Sequence, residues 1–272
     1  MTRRGLGWKP DELDARDWTA GIEFGLSSVV PPDEATLEHH VQEVYDQGAT
    51  NSCVGQALCA AIEISESVAG LEPTRPSALF AYYNGRRALL PKAPMVFDTG
   101  SRPRDVIKAA QRLGICDNQH WPFDRLLWRK NRRPSFNAMI QAHGRAGGEY
   151  AKIKSYADTR LREIRQAVAA GYPVIVSFRI SADWQMFNGP DTIEAPELAT
   201  PLIGGHMVTI VGYDKSDRFR ILNSWSEAWR DGGFAWIDAA YIASGYCSDL
   251  YVIRGWKRIR AAYEKRRAES QA

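Results

Sequence analysis

The sequence is poor in cysteine and has neither a long apolar run nor a strong excess of one charge. Only 4 of its 272 residues are cysteines. No stretch approaches the ~18 apolar residues of a membrane span. The opening MTRRGLGWKP is basic but lacks the apolar core of a secretory signal. We therefore expect a cytoplasmic protein without a membrane span, with non-classical export as the alternative.

The cysteine count and the charge distribution narrow the function classes further. Four cysteines would leave an odd number if one is a catalytic thiol, which argues against a disulfide framework and for a reducing compartment. The formal charge is +3, and residues 257–272 contribute +4 through six Lys or Arg against two Glu. The remaining chain is near −1. A nucleic-acid partner is therefore not expected, and the end of the chain is predicted to be a basic helix or tail.

Hydrophobic periodicity divides the chain into a helical first half and a strand-rich second half. Helical spacing of apolar residues starts beside Cys53, ends at Gly70, and recurs over 78–89, 104–113 and 158–170. Short β-branched or aromatic segments between Gly and Asp turns then follow, namely PVIVSF, HMVTIVGYD, RFRILNSW, GFAWI and DLYVIR. This pattern predicts an α+β fold with an antiparallel or barrel-like sheet.

Residue types that suit nucleophilic catalysis occur in three separate motifs. A thiol nucleophile needs a neighbouring imidazole, a group that fixes this imidazole, and donors that face the developing oxyanion. Cys53, at a predicted helix N-terminus, is favoured as a thiolate because the helix dipole and a protonated His both lower a thiol pKa. Taken singly, Cys53, His206 and Asn223 each have an ordinary explanation in core packing or in a turn.

The order and the flanking residues of these motifs resemble those of papain-like cysteine peptidases. QGATNSC (47–53) has a Gln six residues before the Cys, GGHMVTIVGYD (204–214) has a His that opens a strand, and NSWSEAWRDGGF (223–234) begins with Asn-Ser-Trp. Further segments, from GWKPDELDARDW near the start to AAGYPVIVSF, are similar to a bacterial branch of this family. The resemblance covers roughly residues 7–254.

The resemblance implies a two-lobed fold with a helical lobe, an antiparallel β-barrel-like lobe and an active site in the cleft between them. The implied regions are an N-terminal extension at 1–46 that wraps the fold, the helical lobe at 47–150, the β lobe at 151–256 and the basic tail at 257–272.

The resemblance also implies roles for individual residues. The catalytic positions correspond to Gln47 as oxyanion donor, Cys53 as nucleophile, His206 as general base and then acid, and Asn223 as the orienting group. Trp225 would shield the Asn–His hydrogen bond from water. The two cleft walls that bind substrate would carry Gly100, Ser101 and Arg102 on the non-primed side and Gly204 and Gly205 opposite. The Arg102 guanidinium would lie near the pocket for the residue two before the scissile bond.

Departures from the family pattern affect the expected site. The chain reads TNSCV around Cys53, where papain and the cathepsins have Cys-Gly-Ser/Ala-Cys-Trp/Tyr, so one disulfide is lost and the packing behind the nucleophile differs. The long spacing from Cys53 to His206 requires an inserted loop, which we assign to 184–201 as a rim or lid. The extension before Gln47 is too short for the long helical inhibitory pro-region of many relatives, so control by such a segment is not expected.

The leading hypothesis is hydrolysis of peptide bonds in an extended peptide or protein substrate through a thioester acyl-enzyme. The same triad would also suit acyl transfer or isopeptide or amide hydrolysis, and a catalytically silent binding protein of the same fold is the third alternative. No cofactor or metal is expected, because the cysteines lack paired ligand spacing and the His39-His40 pair stands alone. A protein regulator is the further partner considered.

Overall fold

The computed structural model describes residues 4–72, 74–89, 97–123 and 131–256. The predicted basic tail at 257–272 lies outside these residues. Within the described ranges the α-helices are α1 (Ala20–Glu23), α2 (Cys53–Val68), α3 (Ala78–Leu89), α4 (Pro103–Leu113), α5 (Phe136–Ala142), α6 (Ala157–Ala169) and α7 (Ala239–Ala243). None of these helices is long and apolar enough to cross a membrane.

The strands form one eight-stranded sheet in the described part of the chain. They are β1 (Ala35–Thr36), β2 (Glu149–Ile153), β3 (Val174–Ser181), β4 (Thr192–Ile193), β5 (Leu202–Tyr213), β6 (Arg218–Leu222), β7 (Phe234–Asp238) and β8 (Cys247–Arg254). The main order is β2-β8-β3-β5-β6-β7-β4, and β1 pairs with β5. All pairs are antiparallel except β4 with β7.

The five predicted strand segments correspond to β3, β5, β6, β7 and β8, whereas β1, β2 and β4 were not predicted. Strands β1 and β4 have only two residues each, so they present too little alternation for a sequence pattern to be recognised. Strand β2 (EYAKI) includes Glu, Ala and Lys, which are depleted in strands, so its β signal is weak. The predicted loop at 184–201 contains β4, which pairs with Trp236 and Ile237 of β7. This segment is therefore partly tied into the sheet beside the site.

Helix α2 is buried along nearly its whole length because it packs between α3 and β5. The close approach of α3 depends on Gly55, where an added Cβ would lie 2.8 Å from the Ala78 carbonyl oxygen. On the other side, the Thr209 hydroxyl of β5 donates a hydrogen bond to the Ala57 carbonyl at 3.1 Å. These contacts fix the first residue of α2 against the strand that carries His206.

The N-terminal extension is attached to the rest of the molecule at several points. Thr19 forms a parallel bridge with Lys152 of β2, and Ala35 and Thr36 pair with Tyr213 and Gly212 of β5. The extension therefore contributes a strand to the main sheet, and its residues before Thr19 reach the cleft wall through the bridge between Trp8 and Ser101.

Candidate active site

Cys53 is the first residue of α2, and its thiol is completely buried. All four cysteines are free. Burial raises the pKa of the Cys53 thiol to about 11, which outweighs the lowering caused by backbone hydrogen bonds from Gly7, Met207, Val54 and Trp8. The expectation of a thiolate near neutral pH is therefore wrong for this state of the protein, because desolvation exceeds the effect of the helix terminus.

His206 lies in the central strand β5, opposite Phe178 of β3. Its Nε2 is 2.7 Å from the Asn223 side-chain oxygen, which also accepts the backbone N–H of Ser224 at 2.8 Å. Because that oxygen can only accept, Nε2 carries the proton and Nδ1 is the basic nitrogen. Burial lowers the pKa of His206 to about 4, against a smaller raising effect of the Asn223 hydrogen bond. The imidazole is thus neutral here.

Two tryptophans enclose the His206–Asn223 pair. Trp225 stacks on the His206 ring at 4.6 Å between centroids with 28° between the planes. Trp184 meets the same ring edge-on at 6.2 Å. Within the described residues, His206 Nδ1 is buried and has no hydrogen-bond partner, so no ion pair with Cys53 is formed in this state.

Gln47 lies between the start of α2 and the loop that carries Asn223. Its backbone N–H donates to the Ser224 carbonyl at 2.9 Å, and its side-chain oxygen accepts from the Ser224 hydroxyl at 2.7 Å. The amide nitrogen is thereby turned toward the cleft, where it donates to the Gly5 carbonyl at 3.0 Å and to the Thr50 carbonyl at 2.8 Å. Ser224, which sequence reasoning did not select, orients the predicted oxyanion donor.

Residues 5–9, here called the cleft segment, lie across the site. The Leu6 N–H donates to the Asn51 side-chain oxygen at 3.1 Å, and the Trp8 N–H donates to the Gly205 carbonyl at 3.4 Å. On the other wall, Ser101 N–H donates to the Gly7 carbonyl at 2.8 Å and its carbonyl accepts from the Lys9 N–H at 3.0 Å. A few extended residues of the N-terminal extension thus fill the cleft. The expectation concerned a long helical pro-region, and occlusion by an extended segment was not predicted.

The predicted wall residues lie on both sides of the cleft segment. Gly100 has φ +77°, and an added Cβ would lie 2.2 Å from the Gly7 carbonyl oxygen, so both the backbone conformation and the close approach require glycine. Ser101 is in the same wall, and Gly204 and Gly205 contact Leu6 and Trp8 from the opposite side.

Arg102 forms an ion pair with the N-terminal extension. Its guanidinium pairs with the Glu12 carboxylate of the extension at 2.8 Å. The charged side chain that Trp8 contacts is that of Asp249, whose Oδ2 accepts the indole N–H at 3.0 Å.

The sequence patterns gave no signal for several residues that shape the site. Asn51 holds the cleft segment and is itself fixed by Asp98, to whose carbonyl its side-chain amide donates at 2.9 Å. Trp184, from the segment assigned to a rim or lid, packs on His206. No group of three or more His, Cys, Asp or Glu side chains with metal-binding geometry occurs in the described part of the chain.

The chain is similar to known proteins in sequence and in fold. The sequence matches the family described as "Papain family cysteine protease" over residues 99–249. A peptidase C1-like protein of Acanthamoeba polyphaga mimivirus is 30% identical over 240 residues, 85% of this chain and 74% of that protein. Xylellain, a cysteine protease from Xylella fastidiosa, has a TM-score of 0.82 at 29% identity, covering 94% of this chain and 99% of xylellain. Digestive procathepsin L 3 of Tenebrio molitor shares the fold, with a TM-score of 0.69 at 16% identity over 93% of this chain and 76% of its own.

The chain therefore belongs to the papain family of cysteine proteases. It is a cysteine-type peptidase, and its α+β architecture is the papain-like fold. The matched range contains His206 and Asn223 but begins after Gln47 and Cys53. The assignment of those two residues depends on the geometry described above.

Proposed function

We propose that this protein hydrolyses peptide bonds of extended segments through a thioester on Cys53. One observation carries the proposal: an extended peptide, the chain's own residues 5–9, lies between the two walls with its Gly5 carbonyl on the Gln47 amide. The same groups would hold a substrate strand and the carbonyl that is attacked.

The base in the proposed reaction is Nδ1 of His206, because the hydrogen bond to Asn223 keeps the proton on Nε2. His206 Nδ1 takes the proton from the Cys53 thiol, and the thiolate attacks the substrate carbonyl carbon. The oxyanion is held by the Gln47 amide and the Cys53 backbone N–H. The imidazolium then gives its proton to the leaving amine, and a thioester remains. Water, deprotonated by His206, attacks the thioester and releases the acid and the thiol.

The direction of the cleft segment explains why it would survive in this site. Trp8 forms a parallel bridge with Ser101, and both Trp8 and Lys9 follow Gly5 in the chain. Ser101 lies on the acyl side of the cleft. A substrate whose scissile carbonyl lies on Gln47 would therefore place the residues before that carbonyl beside Ser101. The cleft segment therefore runs in the opposite direction, and a substrate must displace it before reacting.

Two buried cysteines of α2 provide the test. Cys53 and Cys59 are both fully buried, so alanine at either position removes the same atoms from the same helix. We expect Cys53→Ala to abolish cleavage of a peptide library by the intact protein, while Cys59→Ala retains it, with melting temperatures of both variants measured alongside. Equal loss in both variants, or no cleavage by the wild type, would contradict the proposal. Amine adducts instead of hydrolysis products would indicate acyl transfer.

Asn223 has a smaller proposed effect than Cys53. Without its side chain the imidazole can still reach the thiol, although less often in the productive orientation. We expect Asn223→Ala to retain measurable turnover at reduced kcat, whereas Cys53→Ala retains none. A loss as complete as that of Cys53→Ala, together with a lower melting temperature, would assign Asn223 to the fold.

A further inference from the structure

Thr50 and Gln47 are joined by three hydrogen bonds inside the turn that leads into α2. The Thr50 backbone N–H and hydroxyl both donate to the Gln47 carbonyl oxygen, at 3.1 Å and 2.7 Å. The Thr50 carbonyl in turn accepts the Gln47 side-chain amide at 2.8 Å. That bond holds one of the two hydrogens of the amide, so the other hydrogen faces the Gly5 carbonyl at 3.0 Å. Thr50 thus closes a ring that sets where the predicted oxyanion donor points.

Two further side chains extend this ring into α2 and form what we call the polar chain, namely Gln56, Ser52 and Thr50. The Ser52 hydroxyl lies 2.7 Å from the Thr50 hydroxyl, and the Gln56 side-chain nitrogen donates to the Ser52 hydroxyl at 3.2 Å. Because a carbonyl can only accept, the Thr50 hydroxyl gives its single hydrogen to Gln47. Ser52 therefore gives its hydrogen to Thr50 and accepts from Gln56. The polar chain has one direction, with every donor pointing toward the Gln47 carbonyl.

The Ser52 hydroxyl is used for the polar chain and not for its helix. Ser52 is the N-cap residue of α2, where a serine side chain usually accepts a backbone N–H of the first turn and stabilises the helix. Its hydroxyl makes no such bond here. Gln47 and the three residues of the polar chain are at most 2% exposed, so water does not readily replace a bond that is removed. A helix cap is thus absent in favour of contacts that end on Gln47.

We propose that Thr50 is a positioning residue for the oxyanion site and that Ser52 and Gln56 hold it in place. This inference rests on the proposed peptidase function. The sequence has Thr50 where papain and the cathepsins have the first Cys of their pattern, so side-chain hydrogen bonds take the place of a covalent tie in this turn. The tie acts on the direction of an N–H that is used when the oxyanion forms. Its loss should therefore lower kcat and leave substrate binding intact.

The first test compares Thr50→Val, which keeps the shape of the side chain and removes the hydroxyl, with Thr50→Ser, which keeps the hydroxyl. In Thr50→Val the kcat of the intact protein should fall about three- to tenfold, the size of one neutral hydrogen bond, while Thr50→Ser should stay within about twofold of the wild type. KM should not rise, because the Gln47 amide also holds Gly5 of the cleft segment, which competes with substrate. Equal loss in both variants, an unchanged kcat in Thr50→Val, or a loss confined to KM overturns the proposal.

Ser52→Ala tests the polar chain without altering Thr50, and Ser77→Ala is its matched control. Ser77 is also a fully buried serine, but its hydroxyl caps α3, where it accepts the Phe80 backbone N–H at 3.1 Å. Ser52→Ala should lower kcat by less than Thr50→Val does, and in the Thr50→Val background it should have no further effect. Ser77→Ala should lower the melting temperature only. Additive losses at Ser52 and Thr50, or an equal loss of kcat in Ser77→Ala, reject the polar chain.

A measurement that needs no turnover separates this inference from the peptidase function. The rate at which the Gln47 side-chain amide hydrogens exchange with solvent reports how firmly the amide is held. Heteronuclear NMR of the intact protein measures it, with the two signals assigned by their absence in Gln47→Ala. Exchange should be several-fold faster in Thr50→Val than in the wild type or Thr50→Ser. This result without cleavage by the wild type rejects only the peptidase function. Cleavage by the wild type with equal exchange in all three proteins rejects only the positioning by Thr50.

Discussion

The side-chain amide of Gln47 donates to the carbonyl oxygen of Gly5 at 3.0 Å, while its own oxygen accepts the Ser224 hydroxyl at 2.7 Å. The donor is thus already aimed at a peptide carbonyl. Gln47→Ala should lower kcat by roughly 10²–10³, the usual cost of deleting one oxyanion donor. Steady-state kinetics checks this, and a change confined to KM would contradict the role.

Ser224→Ala tests the orientation of the Gln47 side-chain amide separately from its role as a hydrogen-bond donor. The amide would remain present but lose one of the contacts that orient it, so kcat should fall by about tenfold, less than for Gln47→Ala. In the double variant the serine change should have no additional effect, because its partner is gone. Independent losses from the two substitutions would argue that Ser224 acts elsewhere.

Gly7→Ala should open the cleft. A Cβ at this position would lie 1.8 Å from the Asn51 carbonyl oxygen, so the cleft segment cannot stay in place. We expect Cys53 alkylation and peptide cleavage to rise by an order of magnitude or more, because displacement also reverses the desolvation that raises the thiol pKa. Gly144→Ala is the matched control, since a Cβ there meets nothing within 4 Å. Equal behaviour of the two variants would show that the cleft segment does not limit access.

Coverage of the cleft should weaken as pH rises from about 4 to 6. Burial, followed by the charge of Asp249, raises the pKa of Asp11 from 3.8 to about 6, although Tyr251, Lys152 and Arg104 lower it. Asp11 lies two residues after the cleft segment, and its carboxyl holds the proton more tightly when this part of the extension is docked than when it is released. The resulting stabilisation is fully present below about pH 4 and is lost as pH passes about 6.

The pH prediction is measured as a ratio of alkylation rates of Cys53 in wild type and Asp11→Asn. Dividing the rates removes the intrinsic pH dependence of the thiol. The ratio of wild type to Asp11→Asn should be constant below about pH 4, rise by up to about tenfold, and level off above about pH 6. The rise is limited to this size because Asp11 is only partly buried. A constant ratio, or one that falls with pH, is incompatible with this role of Asp11.

Arg145 should matter for stability and not for the cleft. Its guanidinium pairs with Glu66 of α2 at 2.7 Å, and both side chains are almost completely buried. Arg145→Met should destabilise the protein by about 3–5 kcal/mol, because it removes a cation that is paired with a buried carboxylate. Adding Glu66→Gln should recover part of this loss in urea denaturation. A double variant less stable than Arg145→Met would mean that Glu66 has a stabilising role apart from the pair.

The sequence patterns were sufficient for regular elements and for the order of the motifs. The range 78–89 was predicted as a helix and is α3, because its apolar spacing is local information. Coverage of Cys53 was not predictable in this way. It depends on the fit of Gly7 against Asn51 and Gly100, positions far apart in the chain, and on the desolvation that follows. The expectation of a Cys53 thiolate was based on the helix dipole alone and did not include the cost of desolvating the thiol.

One pattern in the cleft segment was nevertheless present. In GLGW, glycines alternate with the side chains that face the walls, and both Gly5 and Gly7 have no room for a Cβ. Such alternation is typical of a strand held closely by another backbone. It identifies a tight contact but not its partner, which only the folded chain supplies.

The bridge between Thr19 and Lys152 and the pairing of β1 with β5 keep the extension attached when the cleft segment leaves. A short tether gives the released segment an effective concentration in the ~mM range at its own site. The released cleft segment then rebinds in a unimolecular step, so diluting the protein does not slow the rebinding. Only a substrate present at comparable concentration, or one that binds much more tightly, would keep the cleft open, so weakly bound peptides would be excluded without any separate inhibitor.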